Sequence, residues 1–186
     1  MSMRKTLRIL RVLCVLSCGL FVSGCGYSLA GRGSALPASV RSIGIPMFTN
    51  RTTVFNLETT LTNRVRAEFI GRGRYRIDPT SNGVDAVLTG EVTSVSIVPS
   101  AFNSAQLASR YAITMTARVE LKNTHDDMVL WDNPSLVFRQ EFDATGNQST
   151  AGAIDPTTFF GQDTNALDRL SGEFARSIVS AILEAF

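Results

Sequence analysis

Three groups of residues in this 186-residue chain have types and spacings that bear on chemistry. The first is the thiol set, Cys14, Cys18 and Cys25, and the second is the trio His125-Asp126-Asp127. The third is the basic stripe Arg72, Arg74 and Arg76, joined on another segment by Arg118 and Lys122. A catalytic or metal-binding reading of the thiols fails on counting. Cys14 and Cys18 lie inside an apolar run, and His125 is the only histidine, so Cys25 can complete neither an intramolecular disulfide after cleavage nor a Cys/His zinc site. His125-Asp126-Asp127 falls among turn-forming residues, where Asn and Asp are expected for backbone reasons. The chain carries no G-x-S-x-G, no H-E-x-x-H and no phosphate loop, and "GRGRYR" lacks the later glycine of a dinucleotide fingerprint. The expectation is a protein without a catalytic centre, a metal or a cofactor. Guanidinium groups grip phosphate in a bidentate way, so Arg72, Arg74 and Arg76 are the leading candidates for contact with an anion. Arg118 and Lys122 form a second, weaker basic pair. The opposing reading for both is a solvated strand face protected by charge.

The surroundings of Cys25 give the thiol a different role. Arg4, Lys5, Arg8 and Arg11 precede the apolar segment VLCVLSCGLFV at 12–22, which ends in Ser23-Gly24. A basic start, an apolar segment of this length and a small-residue exit make a secretory signal. The apolar run is too short for a transmembrane helix, which needs about 20 such residues. Val22-Ser23-Gly24-Cys25 resembles a lipobox, the processing motif of bacterial lipoproteins. A thiol is the nucleophile that accepts a diacylglyceryl group, and small neighbours let the backbone enter the processing enzymes. The resemblance implies cleavage before Cys25 and acylation of the new amine. Several acyl chains make a stable anchor where one is marginal. Gly26 after the cysteine fits sorting to the outer membrane. The expected organisation is a removed signal peptide at 1–24, a lipidated tether at 25–39 and one domain at 40–186.

Charge supports that division. Four of the 18 basic residues and none of the 16 acidic ones precede Cys25, so the remainder carries 14 against 16, a net of −2. A nucleic-acid-binding reading drawn from the whole-chain balance therefore loses its basis. With 44% hydrophobic and 18% charged residues, the composition is that of a globular domain.

The elements that position these residues follow from periodicity. Val40 to Pro46 reads as a short strand, ended by the proline. Leu57, Leu61, Val65 and Phe69 recur every four residues and predict a helix stopped by Gly71 and Gly73. "RGRYRI" reads as extended, with the three arginines on one side and Tyr75 and Ile77 on the other. Residues 84–98 form a long strand whose apolar phase changes between Val92 and Val95, the mark of a bulge. Residues 110–122 alternate cleanly, Tyr111, Ile113, Met115, Ala117, Val119 and Leu121 facing one way. Met128 to Trp131 and Ser135 to Phe142 follow, interrupted at Asn133-Pro134. Residues 143–163 read as a long loop carrying Phe159-Phe160, which either folds back onto the domain or meets a partner. A final helix begins near Asn165, with Asn165 and Asp168 as a capping pair. The order β-α-β-β-β-α predicts an α+β two-layer sandwich. Its two helices would lie on one face of a mostly antiparallel sheet of four to five strands.

Five segments beyond the leader, "GCGYSLAGRGSALP", "IGIPMFTN", "LETTLTNRVRAEFIGRGRYRI", "LWDNPSLVFRQEF" and "NALDRLSGEFARSIVSAILEAF", resemble the LptE family of lipopolysaccharide-assembly lipoproteins. The resemblance implies a domain that plugs an outer-membrane β-barrel of the LptD type, helps that barrel assemble, and assists lipopolysaccharide insertion into the outer leaflet. It implies lipopolysaccharide and the barrel as partners, with the domain facing the periplasm or the barrel lumen. The alternative is an envelope lipoprotein acting as a scaffold or ligand-binding module with no transport role.

Overall fold

The computed structural model describes residues 36–144 and 154–186, so Cys25 and the leader lie outside the described part. Strands β1 (Ser42–Gly44) and β2 (Thr49–Asn50) precede helix α1 (Leu57–Gly71). Strands β3 (Arg76–Asp78), β4 (Ala86–Phe102), β5 (Ala108–Asn123) and β6 (Val129–Asp143) follow, and helices α2 (Pro156–Gln162) and α3 (Thr164–Glu184) complete the chain. The fold is α+β, but the sheet is mixed and six-stranded rather than mostly antiparallel with four to five strands. Its order is β3-β1-β4-β5-β6, with β2 pairing beside β1 on the same edge of β4. β1 runs parallel to both β3 and β4, and β2 parallel to β4, whereas β4-β5-β6 is an antiparallel meander. The parallel half follows from α1, because a helix between two strands returns the chain to the same end of the sheet. β2 escaped periodicity because two residues cannot show a period.

Local chemistry accounts for the rest. Leu57, Leu61, Val65 and Phe69 are all fully buried, as their spacing predicts, and Gly73 leaves the helix with a φ of +67° that favours glycine. In β4 the buried positions are Ala86, Leu88 and Val92 before a register shift between Val92 and Ser94, and Ile97 after it. That bulge produces the change of phase. β5 buries its odd residues from Tyr111 to Leu121, as expected. β6 is one 15-residue strand, not two pieces. It lies at the sheet edge, where Pro134 breaks no interior ladder, and a register shift opposite Ala117–Val119 absorbs the irregularity.

The aromatic residues tie helices to the odd face of β5 and its neighbours. Phe138 of β6 meets Phe174 of α3 edge-on at 6.0 Å, and the Arg169 guanidinium lies 4.8 Å above Phe142. α1 and α3 run in the same direction, side by side. Arg64, midway along α1, and Asp168 in the early part of α3 form a two-pronged ion pair, and Arg72 Nη2 donates to Ser180 Oγ at 2.9 Å near the helix ends. The expected loop at 143–163 contains α2, capped by Asp155, whose carboxylate accepts from Thr158 N at 3.1 Å. The cap of α3 is Asp163, accepting from Ala166 N at 2.9 Å, not Asn165, because the helix begins at Thr164 and Asn165 already lies within its first turn. Leu36, the first described residue, is buried, and its N–H donates to Tyr75 Oη at 3.0 Å.

Candidate functional site

The five cations singled out from the sequence do not assemble into one patch. Arg72 caps the end of α1 instead of opening a strand, so the three arginines of "RGRYRI" do not share a strand face. Its guanidinium pairs with Glu68 at 2.9 Å and reaches Ser180. Arg74 lies in the turn that follows, and only Arg76 stands in a strand, on edge strand β3. There it is exposed, with Nη2 within 3.5 Å of Gly83 O. Arg118 and Lys122 point to the sheet face opposite the core side chains, as Arg76 does, since their neighbours Val119, Leu121 and Ile77 pack into the core. At about 4.8 Å per strand, the β3-β1-β4-β5 order puts Arg76 roughly 14 Å from the strand of Arg118 and Lys122. Arg118 stands opposite Glu91, itself paired with Arg51 at 2.6 Å, and Lys122 Nζ lies 3.0 Å from Asp127.

The aromatic pair sits on α2. Phe160 is 4% exposed, while Phe159 is half-buried and packs edge-on against Tyr111 at 5.9 Å and against Phe160 at 5.3 Å. Both rings are therefore laid against the domain, leaving only part of Phe159 in contact with solvent.

The acidic residue that organises most of its surroundings is one the sequence did not single out. Asp85 Oδ2 accepts from Arg41 N and Ser42 N, each at 2.9 Å, and from Ser42 Oγ at 2.8 Å. Ser42 Oγ in turn accepts from Asp85 N at 3.0 Å, and Thr124 N donates to Asp85 O at 3.0 Å. The group joins the start of β1, the start of β4 and the β5–β6 turn. The Arg41 N–H first, then the Ser42 hydroxyl and N–H, stabilise the charged form and hold this carboxyl well below the usual carboxylate range. His125 Nε2 approaches Asp85 Oδ1 at 3.4 Å. His125 thus leans on a structural carboxylate, and its neighbours Asp126 and Asp127 serve the turn: Asp126 Oδ1 accepts from Met128 N at 3.1 Å. A second unpredicted hub is Arg66, whose Nε and Nη2 both donate to Ile45 O, at 2.9 and 2.6 Å. A third is Asn50, whose amide N donates to Val54 O at 2.8 Å and to Glu58 Oε2 at 3.0 Å, while its Oδ1 accepts from Thr52 N at 2.9 Å. The Asn-x-Thr spacing in "TNRTT" is a signal for such a turn. Asp85 has no comparable signal, because its partners lie about 40 residues away in the chain.

Among the described residues no three His, Cys, Asp or Glu side chains are grouped as a metal site, and no helix is long and apolar enough to cross a membrane. The outward sheet positions mix both charges with hydroxyl groups, Glu91, Glu120 and Glu141 standing among Arg76, Arg118, Lys122 and Arg139. Solved structures with a partial likeness to this chain include the rare lipoprotein B of Shewanella oneidensis, 12% identical, covering 76% of this chain and 92% of that one with a TM-score of 0.43. Lipoprotein B of Nitrosomonas europaea is 10% identical, covers 84% and 89% of the two chains, and has a TM-score of 0.47. The PelC dodecamer of Paraburkholderia phytofirmans is 14% identical, covers 81% and 89%, and has a TM-score of 0.41. A search of curated proteins finds no match. The model of the LptE lipopolysaccharide-assembly family matches residues 40–182, which is most of the chain and nearly all of the folded domain, and the chain belongs to that family.

Proposed function

We propose that this protein is an outer-membrane lipoprotein, cleaved before Cys25 and acylated there, whose domain plugs an LptD-type β-barrel, helps it assemble and assists lipopolysaccharide insertion into the outer leaflet. The observation that carries this reading is the family match over residues 40–182. The leader and the Val22-Ser23-Gly24-Cys25 motif support the anchor. In this reading the helices cover one face of the sheet as a single layer, and the opposite face is turned to the partner. Arg72, Arg74, Arg76, Arg118 and Lys122 are offered to anionic lipid as separate contacts rather than as one patch. Arg72 and Lys122 exchange an existing ion pair when they bind, which lowers their contribution. Phe159 supplies the aromatic contact, Phe160 serving as its support. No catalytic step is assigned to the chain.

The test is recovery of the partner. A tagged chain, crosslinked in cells and purified from membranes, brings down a large β-barrel protein, and its depletion lowers surface lipopolysaccharide. Recovery of soluble periplasmic proteins alone, with surface lipopolysaccharide intact, refutes the proposal and favours the scaffold reading. Cys25→Ala leaves an uncleaved precursor that takes up no labelled acyl chain, while the domain still folds.

A further inference from the structure

The outer edge of β6 pairs with no other described strand along its 15 residues. Such edges are commonly blunted by proline, bulges or charged side chains. Here Pro134 and both register shifts lie between Val129 and Leu136, and the stretch from Leu136 to Asp143, though it carries Arg139, Glu141 and Asp143, keeps an unbroken register against β5. Ala144 N donates inward to Ser109 O at 3.0 Å, so the even-numbered backbone groups of this stretch turn to β5. The N–H and C=O groups of Val137, Arg139, Glu141 and Asp143 then turn outward. Their side chains share the sheet face away from the helices and run in the order apolar, positive, negative, negative.

We propose that two copies of this chain pair antiparallel through Val137–Asp143 of β6, about a two-fold axis at Gln140, to form one continuous sheet. A two-fold interface is self-complementary, so each register is fixed by the residue on its axis. With the axis at Gln140, Arg139 meets the partner's Glu141, and Glu141 meets the partner's Arg139, as outward hydrogen-bonded pairs. On the helix side Phe138 meets the partner's Phe142, and Leu136 meets the partner's Ala144, extending the apolar row that α3 covers. An axis at Arg139 puts two arginines together, and an axis at Glu141 puts two glutamates together. An axis at Val137 or Phe138 makes no ion pair. The chosen register has one poor pair on each side of the axis, Val137 against the partner's Asp143. The charged groups beside it are Arg110, which already holds Asp143 at 3.1 Å and Glu141 at 3.5 Å, and Arg169 above Phe142. Arg139 has no ion-pair partner among the described residues, so it is the cation with a charge to offer across the axis. This pairing goes beyond the barrel reading and concerns copies not seated in a barrel, since an enclosed plug cannot extend its sheet into a second copy.

The experiment uses the full chain, expressed in a Gram-negative host and extracted from membranes in mild detergent. Gln140 occupies the non-hydrogen-bonded pair at the axis, where Cα atoms stand about 4.5 Å apart, within disulfide range. Gln140→Cys therefore gives a reducible covalent dimer on mild oxidation, and the unsubstituted chain does not. Arg139→Cys, offset by two residues from its own copy, crosslinks at least about fivefold less, since that diagonal spans about 7–8 Å. Adding Arg139→Glu to Gln140→Cys lowers the yield about tenfold, and adding Glu141→Arg as well restores it. Sedimentation of the charge variants without the cysteine follows the same order, and far-UV circular dichroism establishes that each is folded. Failure of folded Gln140→Cys to crosslink, equal crosslinking at 139 and 140, or indifference to the charge reversal overturns the proposal.

Discussion

Gly90 provides a test of how β4 is packed beneath the first segment of the domain. A Cβ built at Gly90 would lie 2.6 Å from Cδ2 and Cε2 of Phe48 and 2.8 Å from its Cγ. Ordinary carbon contacts are about 3.5–4.0 Å, so Gly90→Ala pushes the ring back by about 1 Å. The ring has little room to retreat, being 3% exposed, and its backbone is fixed: Phe48 N donates to Thr62 Oγ1 at 3.0 Å, and that hydroxyl donates to Glu58 O at 2.6 Å. Overpacking of this kind costs about 1–3 kcal/mol. Alanine also restricts the unfolded chain, which offsets about 0.4–1 kcal/mol. The net expectation is a loss of about 1–2 kcal/mol, opposite in sign to the gain expected for Gly→Ala at an open strand position. Urea unfolding followed by the fluorescence of Trp131, the single tryptophan, measures it. In a Phe48→Leu background the same Gly90→Ala change costs less than about 0.5 kcal/mol, because the flexible side chain yields where the flat ring cannot. A neutral or stabilising Gly90→Ala, or an undiminished penalty in the Phe48→Leu background, refutes the close approach.

Two further expectations concern polar links. Asp85→Asn weakens the domain at neutral pH and flattens its acid dependence. The folded carboxyl titrates below its ordinary value of 3.8, so its contribution is present above that value and is lost as pH falls through the lower one. Urea midpoints at pH 7 and pH 3 should differ less in the variant than in the parent, and an equal difference sinks the assignment. The Arg64–Asp168 pair joins α1 to α3 but is about half exposed on both sides, so a double-mutant cycle with alanine gives no more than about 1 kcal/mol. A larger coupling would mean that solvent screens this pair less than its exposure implies.

Where the sequence could be read, one face of an element was buried and the element was long enough to show it. The four-residue recurrence in α1, the alternation in β5 and the phase change in β4 are direct imprints of burial on spacing. β2, with two residues, carries no such imprint, and β6 reads as two pieces because Pro134 normally ends a strand. Only the sheet order makes β6 an edge, and an edge tolerates the proline. α2 is a single capped segment of seven residues inside a polar stretch, shorter than the window in which helical spacing emerges. Its cap, Asp155 followed by Pro156, is a start signal that a reading dominated by glycines passes over.

The arginine stripe failed for a reason that bears on function. Alternation in "RGRYRI" places three guanidinium groups on one face only if the backbone is extended from Arg72 onward. The helix instead continues to Gly71, Arg72 closes it, and Gly73 turns the chain with a positive φ. Arg72 then reaches Ser180 of α3, and Arg76 lies on the side of β3 opposite the core side chain Ile77. The other conspicuous polar groups are used in the same internal way: Asp85 joins three segments, Arg66 holds the end of β1, and Asn50 closes the turn ahead of α1. The residue types best suited to chemistry are therefore largely those that hold elements together. What the domain presents outward is a hydroxyl-bearing sheet face of mixed charge and a strand edge on which one cation, Arg139, is followed by two carboxylates, Glu141 and Asp143. A surface of that kind acts through shape and many weak contacts, which is what a domain needs if its partners are a barrel wall, a lipid head or another copy of itself.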